Sequence, residues 1–181
     1  WVHFGAGNIF RAFPAALQQK LLNEGIEKTG IIVAEGYDYE IIKKAYRPQD
    51  DLSLLVTLKA NGTIEKTVIG SLAESLTVDR HDAADWNRLK EIFASNTLQM
   101  VSFTITEKGY SITSPDGAFR ADVKADFEAG PENADSYIGK LAALCYWRYT
   151  QGAAPLALVS MDNCSHNGDK LFAAVDAYAK A

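Results

Sequence analysis

With 181 residues, 48% of them hydrophobic and 23% charged, the chain is long enough for one domain with a sizeable core and unlike a disordered segment in composition. Twenty-three acidic residues against eighteen basic ones leave a formal charge of -5, and no Lys/Arg cluster tracks a phosphate backbone, which argues against a nucleic acid partner. Two cysteines, Cys145 and Cys164, cannot frame a disulfide scaffold, and no run reaches the roughly 18 apolar residues of a membrane span, so the expectation is a cytoplasmic protein with no membrane partner.

Trp1 to Phe4 is a short apolar run that meets Gly5-Ala6-Gly7. Ile9, Phe10, Phe13, Leu17, Leu21 and Leu22 then recur at helical spacing, giving strand, turn and helix. Gly25 and Gly30 bracket a loop before Ile31-Ile-Val-Ala34, a buried parallel strand ending at Glu35. The spacing predicts a short helix over 38–46, closed by Pro48. Leu52 to Ala60 and Thr63 to Ile69 flank Asn61-Gly62, the dipeptide of a type I′ hairpin, and Ala73 to Val78 reads as a third strand beside that hairpin.

A helix over 82–94 carries Trp86, Leu89, Ile92 and Phe93 on one face, with His81 or Asp82 as its cap. Leu98 to Ile105 is a buried strand that runs into Thr106-Glu-Lys-Gly-Tyr110. Residues 111–133 read as loop, 134–150 as helix, 156–160 as strand and 168–181 as helix. Strands alternating with helices predict an α/β fold: a doubly wound, mostly parallel Rossmann-type sheet carrying an antiparallel hairpin insertion.

Gly5 and Gly7 occupy the first two positions of G-x-G-x-x-G, where the first permits a tight turn and the second lets backbone approach a pyrophosphate. Phe10 stands in the third position, followed by Arg11, so helix and strand must pack less closely there or the helix must tilt. Together with Asn8 and Ile9 these residues form the expected cofactor turn, with amides at the helix start facing an anion. Glu35, at the end of the next strand, is placed to accept ribose hydroxyls and to repel a 2′-phosphate, favouring NAD over NADP. Asp38 is a rival for that role.

Ligands of open α/β sheets sit outside the carboxyl ends of the strands, which picks out two further segments. One contributes Thr106, Glu107 and Lys108, expected to touch the cofactor, Lys108 being also a candidate base. The other, Ser160 to Gly168, holds Asp162, Asn163, His166 and Asn167, side chains able to orient a hydroxyl or carbonyl, although an Asx-rich turn before a helix has the same composition. No metal-ligand spacing and no G-x-S-x-G nucleophile motif is present.

These blocks, Phe4-Gly-Ala-Gly-Asn-Ile-Phe-Arg-Ala-Phe13, Gln49-Asp-Asp-Leu52, Thr104-Ile-Thr-Glu-Lys-Gly-Tyr110, and Ser160-Met-Asp-Asn163 with Asn167-Gly168, make the chain resemble the N-terminal domain of the polyol-specific long-chain dehydrogenases, the mannitol dehydrogenase family. The resemblance implies reversible hydride transfer between NAD(H) and a secondary alcohol of a linear sugar alcohol or aldonate, without a metal. It further implies that an asparagine, Asn163 or Asn167, polarises the reacting oxygen. The family's general base is a lysine followed five positions later by Asn and three further by His; none of the twelve lysines here has Asn at that spacing. The expectation is that residues 1–181 are an NAD-binding Rossmann domain, inactive alone, whose partner is its own helical C-terminal domain. A non-catalytic nucleotide-sensing domain is the alternative on the same fold.

Overall fold

In the computed structural model, which describes all 181 residues, strand β1 (Val2–Phe4) is buried on both faces, as a central parallel strand must be. It pairs in parallel with β2 (Ile31–Glu35), Val2 opposite Ile32 and Phe4 opposite Ala34. The chain divides into two units, Trp1–Thr77 and Val78–Ala181.

In the first unit the expected single helix is two. Helix α1 (Asn8–Ala12) ends at Phe13, and Pro14 starts α2 (Pro14–Asn23). Proline lacks the amide that would continue the hydrogen-bond ladder, but its fixed φ suits a first helical position. The split turns Ile9, Phe13 and Leu17 outward at 59%, 60% and 64% exposure, while Phe10 is wholly buried. Beyond β2, a short α3 (Tyr39–Ile41) widens into a π turn over Ile42–Tyr46, then closes in a 3₁₀ turn at Arg47–Gln49.

Strands β3 (Ser53–Leu58) and β4 (Ile64–Ile69) form the expected antiparallel hairpin, with Leu58 opposite Ile64. Its turn differs from the type I′ expectation. The Gly62 amide bonds the Lys59 carbonyl at 2.9 Å and only Gly62, not Asn61, has positive φ, at 82°, which makes a three-residue loop of type I geometry with a left-handed glycine. One hairpin face carries exposed Leu54, Val56, Leu58, Ile64 and Val68 around Lys66.

Strand β5 (Leu72–Thr77) corrects a second expectation: it lies beside β2 in parallel, not beside the hairpin. The order β5-β2-β1 is that of the first half of a doubly wound sheet. Ser75, Leu76 and Thr77 are buried there, against which a place on the exposed hairpin would leave them wet. Ala6, Phe10, Ala15, Ile31, Val33 and Ile42 form the core of this unit together with Tyr46 and Ile69.

In the second unit α4 (Ala83–Ala94) is capped by Asp82, whose side chain accepts the Asp85 amide at 3.3 Å, rather than by His81. Parallel strands β6 (Met100–Phe103) and β7 (Ala157–Ser160) are joined through α5 (Thr106–Gly109), α6 (Ala121–Ala129) and α7 (Tyr137–Thr150), and α8 (Asn167–Lys180) follows. Helix α6 falls in a stretch read from sequence as loop. It buries only Val123 and Asp126, so no apolar stripe announces it. Arg148, 4% exposed, donates to the carbonyls of Phe93, Ser95, Leu98 and Ala154, tying the end of α4 to the end of α7. Parallel strands alternating with helices, plus one antiparallel hairpin, give the doubly wound, mostly parallel α/β class expected from the sequence.

Candidate functional site

The glycine turn is held by backbone geometry first. Gly5 has φ 110°, a conformation that a side chain would strain, and its amide bonds the Ala34 carbonyl at 2.9 Å. Gly7 is different, with extended backbone at φ -73° and ψ -176°. A Cβ added there would meet nothing within 4 Å, and no hydrogen bond occupies its amide. The protein's own packing does not require glycine at this position, so the space it leaves is open to something outside the chain.

Between the two glycines, Ala6 is wholly buried and gripped at both ends. Its amide donates to Glu35 Oε2 at 2.7 Å, and its carbonyl accepts the Tyr46 hydroxyl at 2.8 Å. The other Glu35 oxygen accepts the amides of Tyr37 at 2.8 Å and Asp38 at 3.2 Å. Three amides therefore converge on a carboxylate that is 7% exposed, leaving it room for one more donor out of roughly four lone-pair sites. Asp38, the rival acid, is exposed. Burial pushes the Tyr46 phenol well above its usual range, against a smaller opposing pull from Arg11, so the hydroxyl stays a donor.

The departure at the third glycine position has a packing explanation. Phe10 on α1 stacks on His3 of β1, ring centroids 4.3 Å apart and planes 12° from parallel. An aromatic pair fills the gap that a third glycine would have closed. Burial holds His3 neutral down to about 3. Arg11 bonds Asn8 Oδ1 at 2.5 Å and lies 5.7 Å from the centre of the Tyr46 ring. An open groove beside α1, lined by Asn8, Arg11, Ala12, Leu52 and Leu54, leaves these side chains accessible.

In the second unit Asp162 organises the end of β6. It accepts the Ile105 amide at 2.9 Å, the Thr106 amide at 3.0 Å and the Tyr110 hydroxyl at 2.5 Å. The Tyr110 oxygen also lies 2.7 Å from Ser160 Oγ, and burial with the Asp162 bond drives its titration upward. These bonds hold Thr106 at φ 66°, a left-handed position that a β-branched residue rarely takes. Glu107 pairs with Lys170 on α8, which lowers the carboxyl's titration and raises the amine's. Lys108 is exposed.

The two asparagines have different duties. Asn167 donates to the Asp162 carbonyl at 2.8 Å and to the Ser160 carbonyl at 3.5 Å, and its oxygen takes the Gly168 amide at 2.7 Å. Both ends of its amide serve the loop. Asn163 is exposed and bonds nothing in the chain. His166 sits at φ 54° ahead of α8, its ring 3.2 Å from Asp169.

Sequence reasoning singled out the glycine turn, Glu35 and Asp162 but assigned nothing to Tyr46 or Tyr110, whose hydroxyls bond Ala6 and Asp162. Tyr46 reaches the turn from 40 positions away, with no local motif to mark it. Tyr110 lies at the end of the Thr-Glu-Lys-Gly-Tyr segment with nothing local to mark it, and its hydroxyl finds Ser160 and Asp162 about fifty positions away.

The D-mannonate oxidoreductase of Thermotoga maritima is 50% identical over 175 residues, 97% of this chain and 32% of that protein. A polyol:NADP oxidoreductase of Gluconobacter oxydans is 32% identical over 185 residues, 99% of this chain and 37% of its own length. The chain thus spans about a third of the length of these relatives. Among solved structures, a Pseudomonas fluorescens mannitol 2-dehydrogenase in ternary complex with NAD and D-mannitol matches with a TM-score of 0.82 at 29% identity, covering 99% of this chain and 36% of that one. Residues 1–181 match, from end to end, the family described as the mannitol dehydrogenase Rossmann domain, and the chain belongs to that family.

Proposed function

We propose that residues 1–181 form the NAD(H)-binding part of an oxidoreductase acting on a secondary alcohol of a linear polyol or aldonate, of the mannitol/fructose or mannonate/fructuronate type. The observation that carries the cofactor reading is the open, unbonded Gly7 amide beside a buried acid, Glu35. The substrate class rests on the 50% identity with a mannonate oxidoreductase.

The residues present fit the cofactor. Gly5, Gly7, Asn8, Ile9, Phe10 and Arg11 supply the turn, its amides and a cation for the pyrophosphate, and Glu35 keeps one acceptor site for a ribose hydroxyl. A relative named for NADP shares the family, so the preference for NAD rests on Glu35, whose carboxylate would repel a 2′-phosphate, seconded by exposed Asp38. When bound, the nicotinamide accepts or gives the hydride. Thr106, Glu107 and Lys108 are further candidate cofactor contacts, and Asp162 would act through the Ile105 and Thr106 backbone it holds. Asn163, whose amide is not spent inside the chain, is the better candidate to donate to the reacting oxygen as charge develops there, and Asn167 the better candidate to hold the loop. The general base belongs to a helical C-terminal domain, the partner that the extra length of the relatives supports.

Fluorescence titration with NADH and NADPH tests the cofactor assignment. NADH is expected to bind at least about tenfold more tightly, one ionic repulsion of about 1.4 kcal/mol sufficing. Equal affinities, unchanged in Glu35→Gln, would reject the role of Glu35. Mannonate and mannitol oxidation by the product of the complete reading frame, with Asn163→Ala lowering kcat at least about a hundredfold, tests the chemistry.

A further inference from the structure

We propose that Tyr46 is a positioning residue for the cofactor's pyrophosphate: its hydroxyl, bonded to the Ala6 carbonyl, aims and polarises the peptide unit whose N–H is that of Gly7. The inference rests on the reading that the chain binds NAD(H).

The argument is one of covalent geometry. The Ala6 carbonyl and the Gly7 amide belong to a single planar trans peptide, so they point in opposite directions. Fixing one end fixes the other. Tyr46 is 1% exposed, and its hydroxyl bonds the Ala6 oxygen at 2.8 Å from the core side. The amide at the far end is therefore directed away from the Tyr46 hydroxyl; it bonds nothing in the chain, and an added Cβ at Gly7 would meet no atom within 4 Å. An amide whose carbonyl already accepts a hydrogen bond is also the stronger donor, because the two dipoles polarise each other.

The neighbouring peptide is held independently. Its N–H, that of Ala6, donates to Glu35 at 2.7 Å, so the two planes meeting at Ala6 are both locked. The Tyr46 ring does a second job through its face, where the Arg11 guanidinium lies 5.7 Å from the ring centre. One buried side chain thus orients two groups suited to a diphosphate, a neutral donor and a cation, while itself touching no ligand. Substitution by Phe removes the first effect and keeps the second.

The test compares calorimetric affinities of the 181-residue chain and Tyr46→Phe for NADH, ADP-ribose and adenosine. Loss of the hydroxyl is expected to weaken NADH and ADP-ribose about five- to tenfold, the scale of one polarised hydrogen bond, and to leave adenosine within about twofold. A merely structural role would lower the melting temperature and move all three ligands alike or none, and either pattern overturns the proposal. Should the wild-type chain bind none of them, it is the cofactor reading that fails. Nuclear magnetic resonance of the wild-type chain with inorganic pyrophosphate provides a readout independent of the variant's folding. Binding is expected to shift the Gly7 amide proton and the Ala6 carbonyl carbon together, as partners in one peptide, and a saturable shift elsewhere that spares both also overturns the proposal.

Discussion

The imidazole of His3 lies flat against the ring of Phe10, planes 12° apart, and both side chains are wholly buried. The strand and helix flanking the glycine turn therefore meet through an aromatic pair. Two consequences can be measured.

The first concerns pH. His3 titrates near about 3 in the folded chain against 6.5 ordinarily, because burial disfavours its cation. Between those values the unfolded chain binds a proton that the folded one does not, so stability rises with pH across the window and the contribution is complete above it. The slope approaches about 1.4 kcal/mol per pH unit in mid-window. Urea unfolding between about pH 4 and pH 7 should show it, and His3→Leu should remove it. An unchanged slope in that variant sinks the assignment.

The second reverses the usual logic of the fingerprint. Restoring glycine in the third position, Phe10→Gly, should destabilise the fold by at least about 3 kcal/mol, because it empties a fully buried site and adds backbone freedom. A denaturant midpoint equal to that of the parent chain would mean that α1 collapses onto β1 without cost.

Asp162 should prove a stability residue. Asp162→Ala strips the bonds from the Ile105 and Thr106 amides and from Tyr110; relaxation of the left-handed Thr106 offsets part of this, and we expect a net loss of about 2–4 kcal/mol. Hydrogen exchange at the Ile105 and Thr106 amides is expected to rise before that of β6 as a whole. Exchange unchanged at those two amides would contradict the organising role.

The asparagines should part company in the isolated chain. Asn167→Ala removes the donor held by the Asp162 carbonyl and should cost about 1–2 kcal/mol, whereas Asn163→Ala should stay within about 0.5 kcal/mol of the parent. Thermal unfolding of the two variants distinguishes them; equal losses would mean that Asn163 is also spent on the loop.

What could be read in the sequence was local. Gly5, Gly7 and the apolar strands announce themselves within a few residues, and Asp162 stands in a conspicuous polar run. Pro14 was equally visible, yet the apolar spacing continued across it and hid the break between α1 and α2. The partner of β5 could not be read because a six-residue strand next to a hairpin carries no address; burial of Ser75 to Thr77 beside β2 supplies it. Asn163 and Asn167 looked equivalent until their hydrogen bonds were known, and Tyr46 was silent because its meaning lies entirely in a distant carbonyl.

That distance also sets an order of events. Ala6 is secured by residues 29 and 40 positions downstream. A chain emerging from the ribosome exposes its glycine turn before Glu35 and Tyr46, and both of the bonds that hold Ala6 wait until those residues have followed and folded back. During synthesis the nascent turn is unfinished, and its two holds close only with the rest of the first unit.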